Sequence, residues 1–159
     1  MAGFGSSSDL EAGRSWGIPV SGTAAHAFTM LFDTEEEAFG AQLHTLGEST
    51  TLLVDTYDVE AAVRLGIELT NGRLGAIRLD SGDMSDLTKE ARRMLDEAGW
   101  ESCKITCSNS LDEYIIQDLL LQGACIDSFG VGERLITAKS EPVFGGVYKL
   151  VAEHRLALG

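Results

Sequence analysis

Residues 51–83 read TLLVDTYDVEAAVRLGIELTNGRLGAIRLDSGD and predict one complete strand–helix–strand unit. Two apolar runs, at 52–55 and 75–80, have the length and composition of buried strands. The residues between them follow a helical pattern that begins after Asp58, a typical N-cap residue, and stops at Asn71-Gly72. Because nearly continuous apolar strands joined by helices are typical of parallel sheets, this segment predicts a parallel α/β fold.

The same alternation extends along the chain and predicts one α/β domain over residues 1–159. Further apolar runs lie at 18–22, 104–108, 126–130 and 147–151. Helix starts are indicated by Thr34 in a capping box with Glu37, by Asp83 or Ser85, and by Ser110 in a capping box with Glu113. A closed (β/α)8 barrel takes about 250 residues, so the chain is either an open doubly wound sheet or part of a barrel. No G-x-G-x-x-G motif follows the first strand, which argues against the dinucleotide-binding form of the open sheet.

Charge and cysteine content exclude several classes of protein. Twelve Lys and Arg residues against 25 Asp and Glu residues give a formal net charge of −13, so we expect no binding to nucleic acid or to a membrane surface. No apolar run reaches the roughly 18 residues of a membrane span, and no secretory signal is visible at the start. Cys103, Cys107 and Cys125 show no metal-binding spacing, and free thiols predict a cytoplasmic protein.

Polar residues follow four successive predicted strands where each one ends. They are Asp55-Thr-Tyr-Asp58, Asp80-Ser81-Gly82-Asp83, Ser108-Asn109 and Gly130-Val-Gly132. In both architectures the carboxyl ends of parallel strands carry the functional site. The sequence therefore predicts a site at this edge of the sheet.

Each of these groups has a structural interpretation as well as a functional one. Asp80 and Asp83 can hold Mg²⁺ together with substrate phosphates, although an aspartate at position 83 also suits a helix N-cap. Arg78 places a charge inside an apolar strand, and its counter-ion is either a phosphate or Asp80. Gly130 and Gly132 suit a phosphate cradle of backbone N–H groups, or simply a tight turn.

His26 follows the first predicted strand and is expected on the same edge as Asp55. A carboxylate can hold one ring nitrogen and leave the other free as a nucleophile or proton carrier, whereas the alternative is a purely structural histidine. His44 and His154 are interpreted as surface residues. The G-x-S-x-G motif of many serine hydrolases is missing.

At these residues the sequence resembles the nicotinate phosphoribosyltransferases. The matching segments, in the family's order, are 21–28 (SGTAAHAF), 53–58 (LVDTYD), 77–83 (IRLDSGD), 108–113 (SNSLDE), 130–132 (GVG) and 145–150 (GGVYKL). The glycine-rich segment 3–9 (GFGSSSD) also looks like the family's segment before the histidine motif. The nicotinamide-specific relatives lack the Gly-Thr-x-Ala-His form, so the resemblance favours nicotinate.

The resemblance implies a partial (β/α) barrel of the type II phosphoribosyltransferases. It implies transfer of phosphoribose from 5-phosphoribosyl 1-diphosphate to nicotinate in NAD salvage, with ATP hydrolysis coupled through a phosphohistidine and with Mg²⁺ nearby. By the same resemblance His26 is the phosphorylated residue and Asp55 orients it. The implied substrate-binding residues are Arg78, Asp80, Ser81, Gly82, Ser108, Asn109, Gly130 and Gly132, with Asp80 and Asp83 near the metal.

Two differences from the family pattern lead to further expectations. Ser110 stands where the family often has Asp, although Ser can still cap a helix. Family members are much longer, and their N-terminal domain, which holds nicotinate, has no counterpart in these 159 residues, so we expect the isolated chain to be inactive. The alternative function is an inactive half-barrel that binds phosphoribosyl groups or forms homo-oligomers through its open sheet edges.

Overall fold

Four parallel strands form one sheet in the computed structural model, which describes residues 3–138, 140, 143, 144, 146, 150 and 151. The strands are β1 (Thr51–Leu53), β2 (Ala76–Leu79), β3 (Lys104–Cys107) and β4 (Ser128–Phe129). Their spatial order is β1-β2-β3-β4, so each strand lies beside the next one along the chain. A barrel advances in this way, whereas a doubly wound sheet reverses its strand order. The predicted α/β fold and partial barrel are therefore confirmed.

The described residues form seven helices, α1 (Leu10–Trp16), α2 (His26–Thr29), α3 (Glu35–Leu46), α4 (Val59–Thr70), α5 (Met84–Glu97), α6 (Glu113–Leu121) and α7 (Glu133–Ile136). Of these, α4, α5 and α6 connect successive strands. Helix α3 packs on α4, and α4 packs on α5. None of the helices in the described ranges is long and apolar enough to cross a membrane.

The core lies between the sheet and these helices. Strand residues Leu52, Ile77 and Ile105 are fully buried and stand opposite one another in the parallel register. Burial raises the pKa of the Cys103 thiol to about 11 and that of Cys107 to about 12, so both are protonated thiols at neutral pH. No described cysteine forms a disulfide.

Three predicted helix starts are confirmed by hydrogen bonds. Thr34 and Glu37 form the reciprocal capping box of α3, because each side chain bonds the backbone N–H of the other. The Asp58 carboxylate accepts a hydrogen bond from the Ala61 N–H and begins α4, and Asp83 begins α5. Side-chain caps of this kind satisfy N–H groups that have no partner within the helix.

The predicted capping box of Ser110 was wrong. Helix α6 begins at Glu113, and its N-cap is Asp112, whose carboxylate accepts a hydrogen bond from the Ile115 N–H at 2.9 Å. Ser110 lies before this start in a left-handed conformation, with φ of 47°. A carboxylate one position before the helix therefore replaces the serine hydroxyl as the cap.

The predicted strand at 18–22 is reduced to an isolated parallel bridge between Ser7 and Val20. The Ser7 N–H donates to the Pro19 carbonyl and the Ser21 N–H donates to the Ser7 carbonyl, and Pro19 has no N–H with which to extend the pairing. In the predicted strand at 147–151, residues 147–149 lie outside the described residues, as does His154. His44 is exposed, as predicted.

Candidate active site

Side chains from two of the four predicted polar strand ends, those after β1 and β2, lie against His26. The Nε2 atom of His26 lies 3.8 Å from Asp55 Oδ1 and 3.7 Å from Asp80 Oδ2. Its other ring nitrogen, Nδ1, lies 3.2 Å from Thr56 Oγ1. The His26 side chain is 30% exposed, so the ring remains accessible from one side. The predicted proximity of His26 and Asp55 is confirmed.

Asp55 is the most buried member of the group, because only 2% of its side chain is exposed. Its Oδ2 accepts hydrogen bonds from the Asp80 N–H and from the Ser81 hydroxyl, both at 2.7 Å. Its Oδ1 is buried without a hydrogen-bond partner and faces the His26 ring. A buried carboxylate oxygen without a partner is costly, so it attracts a proton donor or cation at the position of this ring.

Arg78 organises the centre of the site and is only 21% exposed. Its Nε donates to Ser108 Oγ at 2.8 Å, and its Nη2 donates to Asp80 Oδ1 at 2.7 Å. Its Nη1 donates to Thr23 Oγ1 at 2.5 Å and to the Ala24 carbonyl at 3.2 Å. A guanidinium group has five N–H donors, so these four bonds leave one N–H, on Nη2, for a ligand. The sequence predicted either a phosphate or Asp80 as the counter-ion of Arg78, and in this structure Arg78 binds the Asp80 carboxylate.

Asp80 stays ionised at neutral pH. Burial raises the pKa of its carboxyl, but hydrogen bonds from Ser108 and Arg78, with the nearby charges of Arg78 and His26, together lower the pKa below its ordinary value. The Ser108 hydroxyl donates to Asp80 Oδ1, the same oxygen that Arg78 binds. Neither Arg78 nor Ser108 donates to the other oxygen, Asp80 Oδ2, which faces His26.

The loop after β2 also has defined geometry. Gly82 has a φ of +83°, so its backbone conformation favours glycine, and a Cβ atom built there would require the Leu87 side chain to shift from 2.7 Å. Asp83 is exposed and accepts hydrogen bonds from the N–H groups of Ser85 and Asp86. Its structural interpretation as an N-cap is therefore confirmed.

The predicted phosphate cradle has one N–H fewer than expected. The Gly130 N–H donates to the Cys107 carbonyl at 2.7 Å and so extends the pairing of β3 with β4. Gly130 also passes close to Ser108, because a Cβ atom at position 130 would lie 3.2 Å from the Ser108 Cβ. Gly132 is exposed, with open space around it, and Asn109 is exposed with a φ of 96°. Of these residues, Gly130 lies beside the site, against Ser108.

A divalent cation would find few protein ligands here. Within the described ranges there is no group of three or more His, Cys, Asp or Glu side chains arranged to hold a metal ion. The donors present fit a Mg²⁺ ion that is held mainly by the phosphates of a ligand and by water, with Asp80 as one carboxylate ligand.

Sequence reasoning missed two threonines of the site. Thr56 contacts the His26 ring, and Thr23 accepts a hydrogen bond from Arg78. Both stand within segments that had been singled out, 53–58 and 21–28, but for other residues. The sequence signal that could have found them is a hydroxyl side chain next to a functional residue. This signal is weak, because threonine is common in loops of any kind.

Comparison with known proteins identifies close relatives. The chain is 46% identical to nicotinate phosphoribosyltransferase pncB1 of Mycobacterium tuberculosis, over 95% of this chain and 35% of that protein. It is 45% identical to the nicotinate phosphoribosyltransferase of Bacillus subtilis, over 96% of this chain and 32% of that protein. The chain thus spans about a third of the length of the curated relatives it matches. No family model matches it.

Two solved structures of enzymes that act on nicotinate or its nucleotide, as their names state, share the fold of this chain. A nicotinate-nucleotide pyrophosphorylase from Pyrococcus furiosus superposes with a TM-score of 0.70 and 27% identity, over 80% of this chain and 34% of that one. Human nicotinic acid phosphoribosyltransferase also superposes with a TM-score of 0.70, with 25% identity, over 81% of this chain and 38% of that one.

Proposed function

We propose that this chain, a homologue of the nicotinate phosphoribosyltransferases over about a third of their length, forms the phosphoribosyl- and phosphate-handling part of such an enzyme. In this reaction the ring nitrogen of nicotinate attacks the anomeric carbon of 5-phosphoribosyl 1-diphosphate. The bond from that carbon to the diphosphate oxygen breaks, and nicotinate mononucleotide and diphosphate are released. Nicotinate itself would contact other parts of the site.

A single observation carries this proposal. His26, Asp55, Arg78 and Asp80 come from distant parts of the chain and meet at the carboxyl ends of the strands. Diphosphate departure develops negative charge, which positive groups and a cation stabilise. The remaining N–H of Arg78 supplies one such positive group. The Asp80 carboxylate can accept a hydrogen bond from a substrate hydroxyl or bind the cation.

The Asp80 carboxylate is already oriented for such a ligand. Ser108 and Arg78 fix its Oδ1, so its Oδ2 is the oxygen that can accept from a ribose hydroxyl or bind Mg²⁺. The cation, when bound, would neutralise diphosphate charge. The part of the chain that the structure describes offers Asp80 as its carboxylate and leaves the remaining ligands to the substrate and water.

We further propose that ATP phosphorylates His26. A lone pair of the imidazole attacks the terminal phosphorus of ATP, the bond from this phosphorus to the bridging oxygen breaks, and ADP leaves. The ring becomes positively charged when it forms this bond. The carboxylates of Asp55 and Asp80 lie beside Nε2 and stabilise that charge.

The test is a search for phosphate on histidine after the chain is incubated with ATP and Mg²⁺. Mass spectrometry at neutral or alkaline pH should find the phosphate on His26 and find none in His26→Gln. His44→Gln is the matched control, because His44 is exposed and lies on α3 away from these carboxylates. A folded wild-type chain without phosphate, or one labelled equally after His26→Gln, would contradict the phosphohistidine proposal. Binding of 5-phosphoribosyl 1-diphosphate without phosphorylation would instead favour the inactive binding module.

A further inference from the structure

The two ring nitrogens of His26 face groups of different hydrogen-bonding capacity. Nε2 points toward two carboxylate oxygens, Asp55 Oδ1 at 3.8 Å and Asp80 Oδ2 at 3.7 Å. Nδ1 lies 3.2 Å from the Thr56 hydroxyl, which can donate or accept. An ionised carboxylate can only accept. The neutral imidazole carries its proton on one nitrogen and a lone pair on the other, so this environment discriminates between its two tautomers.

The carboxylates favour a proton on Nε2. A lone pair on Nε2 would face two negatively charged oxygens, one of which is buried without a hydrogen-bond partner. An N–H at the same position points its positive end toward both oxygens. With the proton on Nε2, the lone pair lies on Nδ1, where only a donor completes the arrangement. The Thr56 hydroxyl is that donor.

We propose that Thr56 is a positioning residue that fixes the tautomer and orientation of His26, with the proton on Nε2 and the lone pair on Nδ1. Thr56 follows Asp55 directly, so one turn after β1 supplies both the carboxylate on one side of the ring and the hydroxyl on the other. Rotation of the ring by half a turn would exchange Nε2 with Cε1 and Nδ1 with Cδ2, so that C–H groups would face the carboxylates and the Thr56 hydroxyl. The hydroxyl and the carboxylates together oppose that rotation.

The consequence for catalysis rests on the proposed function. The nucleophile of His26 is then Nδ1, the nitrogen on the side away from Asp55 and Asp80. An incoming phosphoryl group carries negative charge, so this side avoids repulsion by the two carboxylates. The Thr56 hydroxyl stands where it can donate to a phosphoryl oxygen once Nδ1 has formed its new bond.

The experiment is nitrogen NMR of the histidine rings in the chain without ATP, at a pH where the rings are neutral. Long-range ¹H–¹⁵N correlation spectra distinguish a protonated from an unprotonated ring nitrogen. The His26 signals are those that disappear in His26→Gln. The variants are Thr56→Val, which removes the hydroxyl at nearly constant volume, and Thr56→Ser, which keeps it. Thr45→Val is the control, because the Thr45 hydroxyl donates to the Ala41 carbonyl in the exposed part of α3.

Wild type should show the Nε2–H tautomer in excess. Thr56→Val should lower the ratio of the Nε2–H tautomer to the Nδ1–H tautomer by about two- to tenfold, the effect of one ordinary hydrogen bond. Thr56→Ser should restore the wild-type ratio, and Thr45→Val should leave it unchanged. Nδ1–H as the main tautomer of wild type, or an unchanged ratio in a folded Thr56→Val chain, would overturn the proposal. The measurement needs no ATP, so a chain that shows this tautomer but is never phosphorylated would refute the proposed function alone.

Discussion

Replacement of Arg78 by Lys should destabilise the chain strongly although it keeps the charge. The guanidinium donates in three directions, to Ser108, to Thr23 with the Ala24 carbonyl, and to Asp80. An ammonium group has its three donors on one nitrogen and cannot reach all three directions. At least two hydrogen bonds from a charged donor are lost, each with a net value of about 1.5–3 kcal/mol. Because Thr23 is exposed and regains water, we expect a net loss of about 2–3 kcal/mol.

Urea unfolding followed by circular dichroism measures this loss, with the slope m compared between variants to confirm that the folded state is equally compact. Arg64→Lys is the matched control. Arg64 is 61% exposed and forms an exposed ion pair with Glu60 one turn away, so its replacement should change the unfolding midpoint little. A loss for Arg78→Lys below about 1 kcal/mol, or one equal to that of the control, would refute the argument that this network holds the site together.

Three further predictions test other parts of the account. The pKa of Asp80 is lowered in the folded chain, so the ionised carboxylate stabilises the fold above its ordinary pKa and loses that effect as the pH falls. Below about pH 4, the free energy of unfolding should therefore fall more steeply for wild type than for Asp80→Asn. Parallel curves for the two proteins would contradict this. Gly82→Ala should lose about 1–2 kcal/mol in urea unfolding, because alanine at φ +83° is strained and its Cβ meets Leu87, and an unchanged midpoint would show that the loop relaxes freely. Asp112→Ala should lower the urea midpoint whereas Ser110→Ala should not, and the reverse order would restore Ser110 as the cap of α6.

The sheet and its flanking helices could be predicted because their signals are local. Apolar runs at 52–55 and 75–80 became β1 and β2, and Asp58 supplied the cap between them. The run at 18–22, which contains Pro19 and Gly22, forms only a bridge to Ser7. Strand formation depends on a partner at the right register, and a single run of sequence does not contain that partner.

The members of the site could also be predicted, because polar residues after buried strands meet at one edge. Some of their mutual contacts could not. The hydrogen bonds of Arg78 to Ser108 and to Thr23 join segments 30 and 55 residues apart, and no local pattern in the sequence indicates them. The Gly130 N–H was predicted for phosphate but is used by the sheet, and Thr56 was passed over although it contacts His26.

Calorimetric titration with 5-phosphoribosyl 1-diphosphate tests the central claim most directly, namely that the edge around Arg78 and Asp80 binds a phosphoribosyl diphosphate. The folded 159-residue chain should bind it weakly in the presence of Mg²⁺, and less well without the cation, since the described residues offer few ligands of their own. Arg78→Lys should weaken binding several-fold, and Arg64→Lys should leave it unchanged. Absence of binding heat with and without Mg²⁺ at several temperatures, on a chain shown to be folded, would contradict the account.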